Sequence, residues 1–315
     1  MKQALFLLAV LPMLLTVSCS HDTPSTGVSR ELALQRKADI GDVRYSLEFD
    51  IPQATDSAIA GRETVTFKLE RKEDVLLDAK GFGIGSVSVN GRECSPVLSN
   101  EHLLIPAGML SKGVNSIDIG FTAGEQSLNR RNGFLYTLLV PDRARTLFPC
   151  FDQPDMKARY TLSLTVPEGW KAVSNTCVSS SEGRTVHFAE TEPLSTYLFS
   201  FAAGEFNCVQ SDGIEVNGKP IHLYHRETDP EKIAQCAEVL SMVKRSIDWL
   251  EDYTGVPYPF AKYDLVVLPD FQYGGMEHTG ATLYNDRRIF LGAAPTTSEL
   301  LERASLIAHE TAHMW

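Results

Sequence analysis

Apolar and polar residues alternate through most of the first two thirds of the chain. Val43-Arg44-Tyr45-Ser46-Leu47-Glu48-Phe49, Thr64-Val65-Thr66-Phe67-Lys68-Leu69, Ser116-Ile117-Asp118-Ile119-Gly120-Phe121 and Tyr160-Thr161-Leu162-Ser163-Leu164-Thr165-Val166 all repeat with period two. That period sends one face of each strand into a core and the other into solvent. Turn signals at Asn90-Gly91 and Lys112-Gly113-Val114-Asn115 separate the runs, and Pro167-Glu168-Gly169 stops the last of them. There is no internal repeat. Residues 43–208 therefore predict an N-terminal β-domain, a sandwich or a large twisted sheet assembly.

After Cys208 the period lengthens. Thr228-Asp229-Pro230-Glu231 opens a helix with Pro230 at its first position. The spacing turns Ile233, Ala237, Leu240, Val243, Ile247 and Leu250 inward and ends near Tyr253, before Gly255-Val256-Pro257-Tyr258-Pro259. Tyr263 to Leu268 predicts a strand, and Gly274-Gly275 a loop. Thr282-Leu283-Tyr284 and Ile289-Phe290-Leu291 predict further strands. A final helix is announced by Thr296 and Glu299, a capping box, with Leu300, Leu301, Ala304, Ile307, Ala308 and Ala312 at helical spacing. Residues 209–315 are thus a mixed α/β domain.

That last helix carries the chemistry. His309-Glu310-Thr311-Ala312-His313 is an H-E-x-x-H pattern, which sets two imidazoles at i and i+4 on one helix face where they can share a metal. Glu310 stands beside that face, where a carboxylate can take a proton from metal-activated water. The apolar residues around the histidines predict a buried face, and buried imidazoles beside a carboxylate call for a zinc ion as partner.

With 315 residues the chain is too long for one ordinary core. A net charge of −11 argues against nucleic acid, because a phosphate-binding surface needs a basic excess. Five cysteines beyond Cys19 (Cys94, Cys150, Cys177, Cys208 and Cys236) are an odd number with no C-x-x-C pair, so neither a disulfide framework nor a thiolate zinc site is expected. Residues 1–18 read as a signal peptide: Lys2 precedes an apolar run from Ala4 to Val17. No later span is apolar enough to cross a membrane. Ser18-Cys19 at the end of that run resembles a bacterial lipobox, the alternative being an ordinary secretory signal. Residues 19–42 then form a lipid anchor and tether, rich in Ser, Thr, Asp, Pro and Gly from Ser20 to Ser29. The location this implies is the bacterial cell envelope, periplasm or outer membrane, with the membrane engaged only through Cys19.

Two more segments complete the pattern. They are Phe148-Pro149-Cys150-Phe151-Asp152-Gln153-Pro154-Asp155-Met156-Lys157-Ala158-Arg159-Tyr160 and Pro269-Asp270-Phe271-Gln272-Tyr273-Gly274-Gly275-Met276-Glu277-His278. With the two histidines, and Ser195-Thr196-Tyr197-Leu198-Phe199-Ser200-Phe201, the chain from Val43 to Trp315 resembles the membrane alanyl aminopeptidase (aminopeptidase N) family of gluzincin zinc metallopeptidases. The resemblance implies a saddle-shaped antiparallel β-domain leading into a thermolysin-like catalytic domain. It also implies one zinc ion (Zn2+) on His309 and His313, Glu310 as catalytic base, and Glu277 as the group that binds the free α-amine of a peptide substrate. Gly274, Gly275 and Met276 supply the adjoining substrate-binding backbone. Independently of the family, paired glycines let backbone approach a ligand closely, and a free strand edge can pair with an extended peptide.

The chain departs from the family in three places. His278 stands where the family's loop has asparagine. A histidine there can donate to substrate backbone and ordinarily titrates near neutrality, but it lacks the helix spacing that would make it a metal ligand. Leu138-Leu139-Val140 occupies the neighbourhood of a second amine-binding Gln or Glu. The third zinc ligand, a glutamate about twenty residues beyond the second histidine, is absent from this chain, as is the family's oxyanion-stabilising tyrosine. The expectation is a fragment of a longer enzyme, inactive as it stands. Two alternatives remain at this level: a zinc endopeptidase built on the same helix, and a non-catalytic peptide-binding lipoprotein.

Overall fold

The computed structural model describes residues 25–315; Cys19 and the signal segment lie outside them. The N-terminal domain is built on an eight-stranded sheet. Its strands run in the order Val178–Glu182, Thr185–Phe188, Arg159–Thr165, Ile40–Asp50, Ala60–Leu69, Gly113–Thr122, Ile84–Val89 and Arg92–Cys94. All neighbours are antiparallel except Ile40–Asp50 beside Arg159–Thr165. The predicted alternation is met residue by residue: Tyr45, Leu47 and Phe49 are buried while Arg44, Ser46 and Glu48 are exposed. Register explains the core, since Tyr45 lies opposite Tyr160 and Val65, so apolar faces stack across strands. Tyr45, Tyr160 and Phe199 form a run of stacked rings. The turn expected at Asn90-Gly91 joins Val89 to Arg92 in a two-residue hairpin. A four-stranded sheet (Lys171–Ser174, Phe201–Gly204, Phe134–Thr137, Leu128–Arg131) and a three-stranded one complete this sheet-rich domain.

Part of the expected tether is helix. Arg30–Asp39 is capped by the Ser29 hydroxyl, and its buried side chains are Arg36 and Asp39. Arg36 donates to both oxygens of buried Asp78, at 2.9 and 2.7 Å. Asp78 also accepts from the Asp152 backbone at 2.9 Å. His102 is wedged against the same carboxylate. Its Nδ1 lies 2.8 Å from Asp78 Oδ1, an ion-pair approach off the hydrogen-bond direction, while Nε2 faces the carbonyls of Ser25 and Gly27 at 3.1 and 3.0 Å.

With acceptors at both ring nitrogens, His102 favours the imidazolium. Burial lowers its pKa, but the contact with Asp78 outweighs both burial and repulsion from Arg36, leaving the pKa above the ordinary 6.5. A pKa raised by folding contributes stability that is complete below the unfolded value and is lost as pH rises through the folded one. The stability difference between the parent and His102→Asn, followed by urea unfolding over a pH series, should therefore be largest below 6.5 and shrink above the raised pKa. A difference independent of pH would refute the charged state of His102.

The second domain holds a five-stranded sheet in the order Asn207–Val216, Lys219–His225, Asp264–Leu268, Ala281–Asn285 and Gly275–Met276. Lys219–His225, Asp264–Leu268 and Ala281–Asn285 run parallel, and the outer pairs are antiparallel. Two expectations need correction. The helix from Pro230 is interrupted: Pro230–Ile233 and Cys236–Thr254 are separate, and the longer one buries Cys236, Val239, Leu240, Val243 and Ile247, leaving Ala237 exposed. Residues near Ile289 are not a strand, because Asn285 caps a helical turn, Asp286–Ile289, directly after Ala281–Asn285. No helix among the described residues is long and apolar enough to cross a membrane. Cys94, Cys150, Cys177, Cys208 and Cys236 are all free.

Candidate active site

The motif helix, Thr297–Ala312, starts at the expected capping box: Thr296 Oγ1 accepts from Glu299 N, and the Glu299 carboxylate accepts from Thr296 N. Its buried face differs from the one the apolar spacing predicts. Arg303, Ile307, Glu310 and Thr311 point inward, whereas Leu300, Leu301, Ala308, Ala312 and both histidines are exposed. Polar anchoring sets this rotation. Arg303 donates to Gln235 and Glu238 at 2.8 Å each, and Thr311 donates to Ile307 O while meeting the Tyr263 hydroxyl at 3.1 Å. With the helix held at both ends, Ala304, Ala308 and Ala312 line an open apolar groove beside Trp249.

The two histidines converge. His309 Nε2 and His313 Nε2 lie 3.2 Å apart at the exposed end of the helix. Two zinc–nitrogen bonds of 2.0–2.1 Å at a tetrahedral angle span about 3.3 Å, so the pair fits one zinc ion. Glu310 is buried on the adjoining face, and one ligand atom from each of Glu277, Glu310 and His313 lies within 4.8 Å of the others. Burial first, and the charge of Glu277 second, push the Glu310 carboxyl up to about 7. A bound dication would act in the opposite direction and favour the carboxylate.

Gly274, Gly275, Met276 and Glu277 run along the helix. Gly275–Met276 is the edge strand of the sheet, paired on one side only: Gly275 faces Tyr284 and Met276 faces Leu283. A Cβ at Gly275 would lie 2.4 Å from Glu310 Oε1, so glycine is what lets this strand pass over the carboxylate. Met276 is buried and Glu277 is half-buried. His278 is fully buried instead of facing substrate, and burial lowers its pKa to about 3; it is neutral at physiological pH and lies outside the Glu277–Glu310–His313 group. Leu138 is buried in an apolar cluster with Tyr136, Phe271 and Met276 and offers no polar contact. Two site-facing residues escape the motif reading. Tyr197 packs against that cluster, close enough to Glu277 for the carboxylate to add to the effect of burial in raising its phenol pKa. Asn175 reaches the same loop from the β-domain. The signal for Tyr197 was the Ser195–Phe201 segment, readable as family pattern but not as contact; Asn175 lies outside it and carries no such signal.

The chain's matches to known proteins fall on these same parts. The family model described as "Peptidase M1 N-terminal domain" matches residues 116–198, and "Peptidase family M1 domain" matches residues 238–315. "Aminopeptidase N" of Streptomyces lividans is 28% identical over 310 residues, 93% of this chain and 35% of that protein. "Leucyl aminopeptidase" of Saccharolobus solfataricus is 29% identical over 283 residues, 86% of this chain and 35% of its own length. "Glutamyl aminopeptidase" of Homo sapiens is 35% identical over 182 residues, 56% of this chain and 18% of its own. A sheet-rich N-terminal domain followed by a helix with paired histidines is the order in which these two models match, and the chain belongs to the M1, or aminopeptidase N, peptidase family. Peptidases of this family are generally zinc-dependent. The chain spans about a third of the length of the curated relatives it matches over most of its own length.

Proposed function

We propose that this chain carries the β-domain and the metal-binding part of a zinc aminopeptidase that removes N-terminal residues from peptides. One observation supports this above others: His309, His313, Glu310 and Glu277 meet beside an unpaired strand edge. His309 and His313 would hold a single zinc ion. When bound, zinc supplies Lewis acidity, which acidifies water and polarises a carbonyl. An extended peptide adds to the Gly275–Met276 edge. Glu277 receives the substrate ammonium and so fixes which peptide bond reaches the metal site. Glu310 takes the proton of the attacking water and returns it to the departing amine, a role open to a buried carboxylate on the face adjoining the histidine pair. Comparing cleavage of a peptide with its N-acetylated form tests the reading. Selective cleavage of the free amine is expected; equal cleavage of both would identify an endopeptidase.

For localisation we propose a lipoprotein of the bacterial cell envelope, anchored through Cys19, with no nucleic-acid partner. Support comes from the Leu15-Thr16-Val17-Ser18-Cys19 pattern and the net charge of −11. Cys19→Ala should move the protein from the membrane fraction to the soluble one. An unchanged distribution would remove the anchor from the account.

A further inference from the structure

We infer that the position of Glu277 is set in part from outside the catalytic domain: Asn175 of the β-domain holds the turn that follows it, whose far end the catalytic domain's own Lys262 ties by donating to Gly280 O at 2.6 Å. The inference rests on the reading of Glu277 as the group that receives the substrate ammonium; in this arrangement Asn175 is a positioning residue and touches no substrate.

Asn175 follows the strand Lys171–Ser174 and is 4% exposed. Its Oδ1 accepts from Ser200 N at 2.8 Å, while Nδ2 donates to Leu198 O at 2.8 Å and to Thr279 O at 2.9 Å. This network fixes the orientation of the amide, because only the nitrogen can meet two carbonyls. One amide hydrogen therefore serves each domain: Leu198 belongs to the β-domain, and Thr279 lies two residues beyond Glu277. The β-domain side is firm, with the Ser174 hydroxyl donating to Ser200 O at 2.7 Å and Thr196 donating to buried Asp152 at 2.8 Å. Tyr197, on the turn Thr196–Leu198, packs toward Glu277 from the same side.

The turn itself is tight. His278 N donates to Met276 O at 2.9 Å, and Ala281 N to His278 O at 3.1 Å. Gly280 has φ +72 and presses on the Asn175 backbone, where a Cβ would lie 2.1 Å from the Asn175 carbonyl oxygen. The buried His278 ring has no hydrogen-bond partner among the described residues, so it contributes no polar tether to the turn. A charge-assisted contact loses its value when its carboxylate shifts by a fraction of an ångström to an ångström. Asn175 thus couples the fit between the two domains to recognition of the first substrate residue.

The test uses Asn175→Asp, which keeps the shape but turns a carboxylate oxygen toward two carbonyls, and Asn175→Ser as a milder variant should the first fold poorly. Amide hydrogen exchange at His278 and Ala281 should accelerate by about tenfold or more, with Glu310 and Thr311 in the motif helix unchanged. In the active enzyme KM for a free-amine peptide should rise about tenfold with kcat nearly unchanged, and the same substitution in a Glu277→Gln background should add less than about twofold. Zinc content should stay the same. Unchanged exchange at His278 and Ala281, or an equal loss in the Glu277→Gln background, would overturn the proposal. If the parent enzyme does not prefer free amines, it is the reading of Glu277 that fails, and the exchange data still decide whether Asn175 holds the turn.

Discussion

Glu310→Gln is expected to reduce turnover in the active enzyme by about three orders of magnitude, ~4 kcal/mol in the barrier, while leaving zinc content unchanged. The amide fills the same volume and still packs under Gly275, whose missing Cβ leaves room for the side chain. It cannot accept the proton of water. Because Glu310 points to the buried face and the histidines to the exposed end, its replacement leaves the Nε2 pair free to bind metal. Substrate affinity should also persist, since Glu277 and the strand edge are untouched. Turnover by the Gln variant within about tenfold of the parent would exclude Glu310 as the base. Loss of zinc together with turnover would instead make Glu310 part of the metal shell, an arrangement that its approach to His313 and Glu277 permits.

How much of this site is legible in the sequence depends on whether local spacing or distant packing creates it. The histidine pair is legible because i and i+4 share a helix face, and the capping box because its partners are three residues apart. The long strands of the eight-stranded sheet are legible because a period of two survives in Ile40–Asp50, Ala60–Leu69, Gly113–Thr122 and Arg159–Thr165, whereas Phe134–Thr137 and Phe201–Gly204 are buried at every position and show none. The rotation of the motif helix is not. Apolar spacing puts Leu300, Leu301, Ala304, Ala308 and Ala312 on a buried face, yet Arg303 and Thr311 find polar partners more than forty residues away and turn the helix toward them. The helix Arg30–Asp39 escapes for a similar reason: its anchor is a buried Arg36–Asp78 pair, and nothing in a period of 3.6 announces an arginine facing inward. His278 reads as a titrating loop residue until its complete burial is known. Asn175 carries no motif chemistry, and its role depends on a contact with Thr279 across 104 residues.

Glu277→Gln separates the two uses of a carboxylate in this site. Glu277 lies beyond the edge strand and is half-buried, whereas Glu310 is buried beneath Gly275 and burial drives its carboxyl upward. Glu277, the more exposed of the two, is the one placed to receive an ammonium. Removing that charge at constant shape should cost a strong charge-assisted contact of ~3 kcal/mol, so kcat/KM for free-amine peptides should fall by about two orders of magnitude. Cleavage of N-acetylated peptides, which have no ammonium to lose, should change little. The metal should remain, because the imidazole pair converges without Glu277. The two substitutions thus fail differently: Glu310→Gln binds substrate and does not turn it over, whereas Glu277→Gln keeps its proton-transfer group but no longer selects the end of the chain. If Glu277→Gln cleaves free-amine substrates as well as the parent does, the strand edge alone sets the register. The site would then accept internal peptide bonds, which is the endopeptidase arrangement.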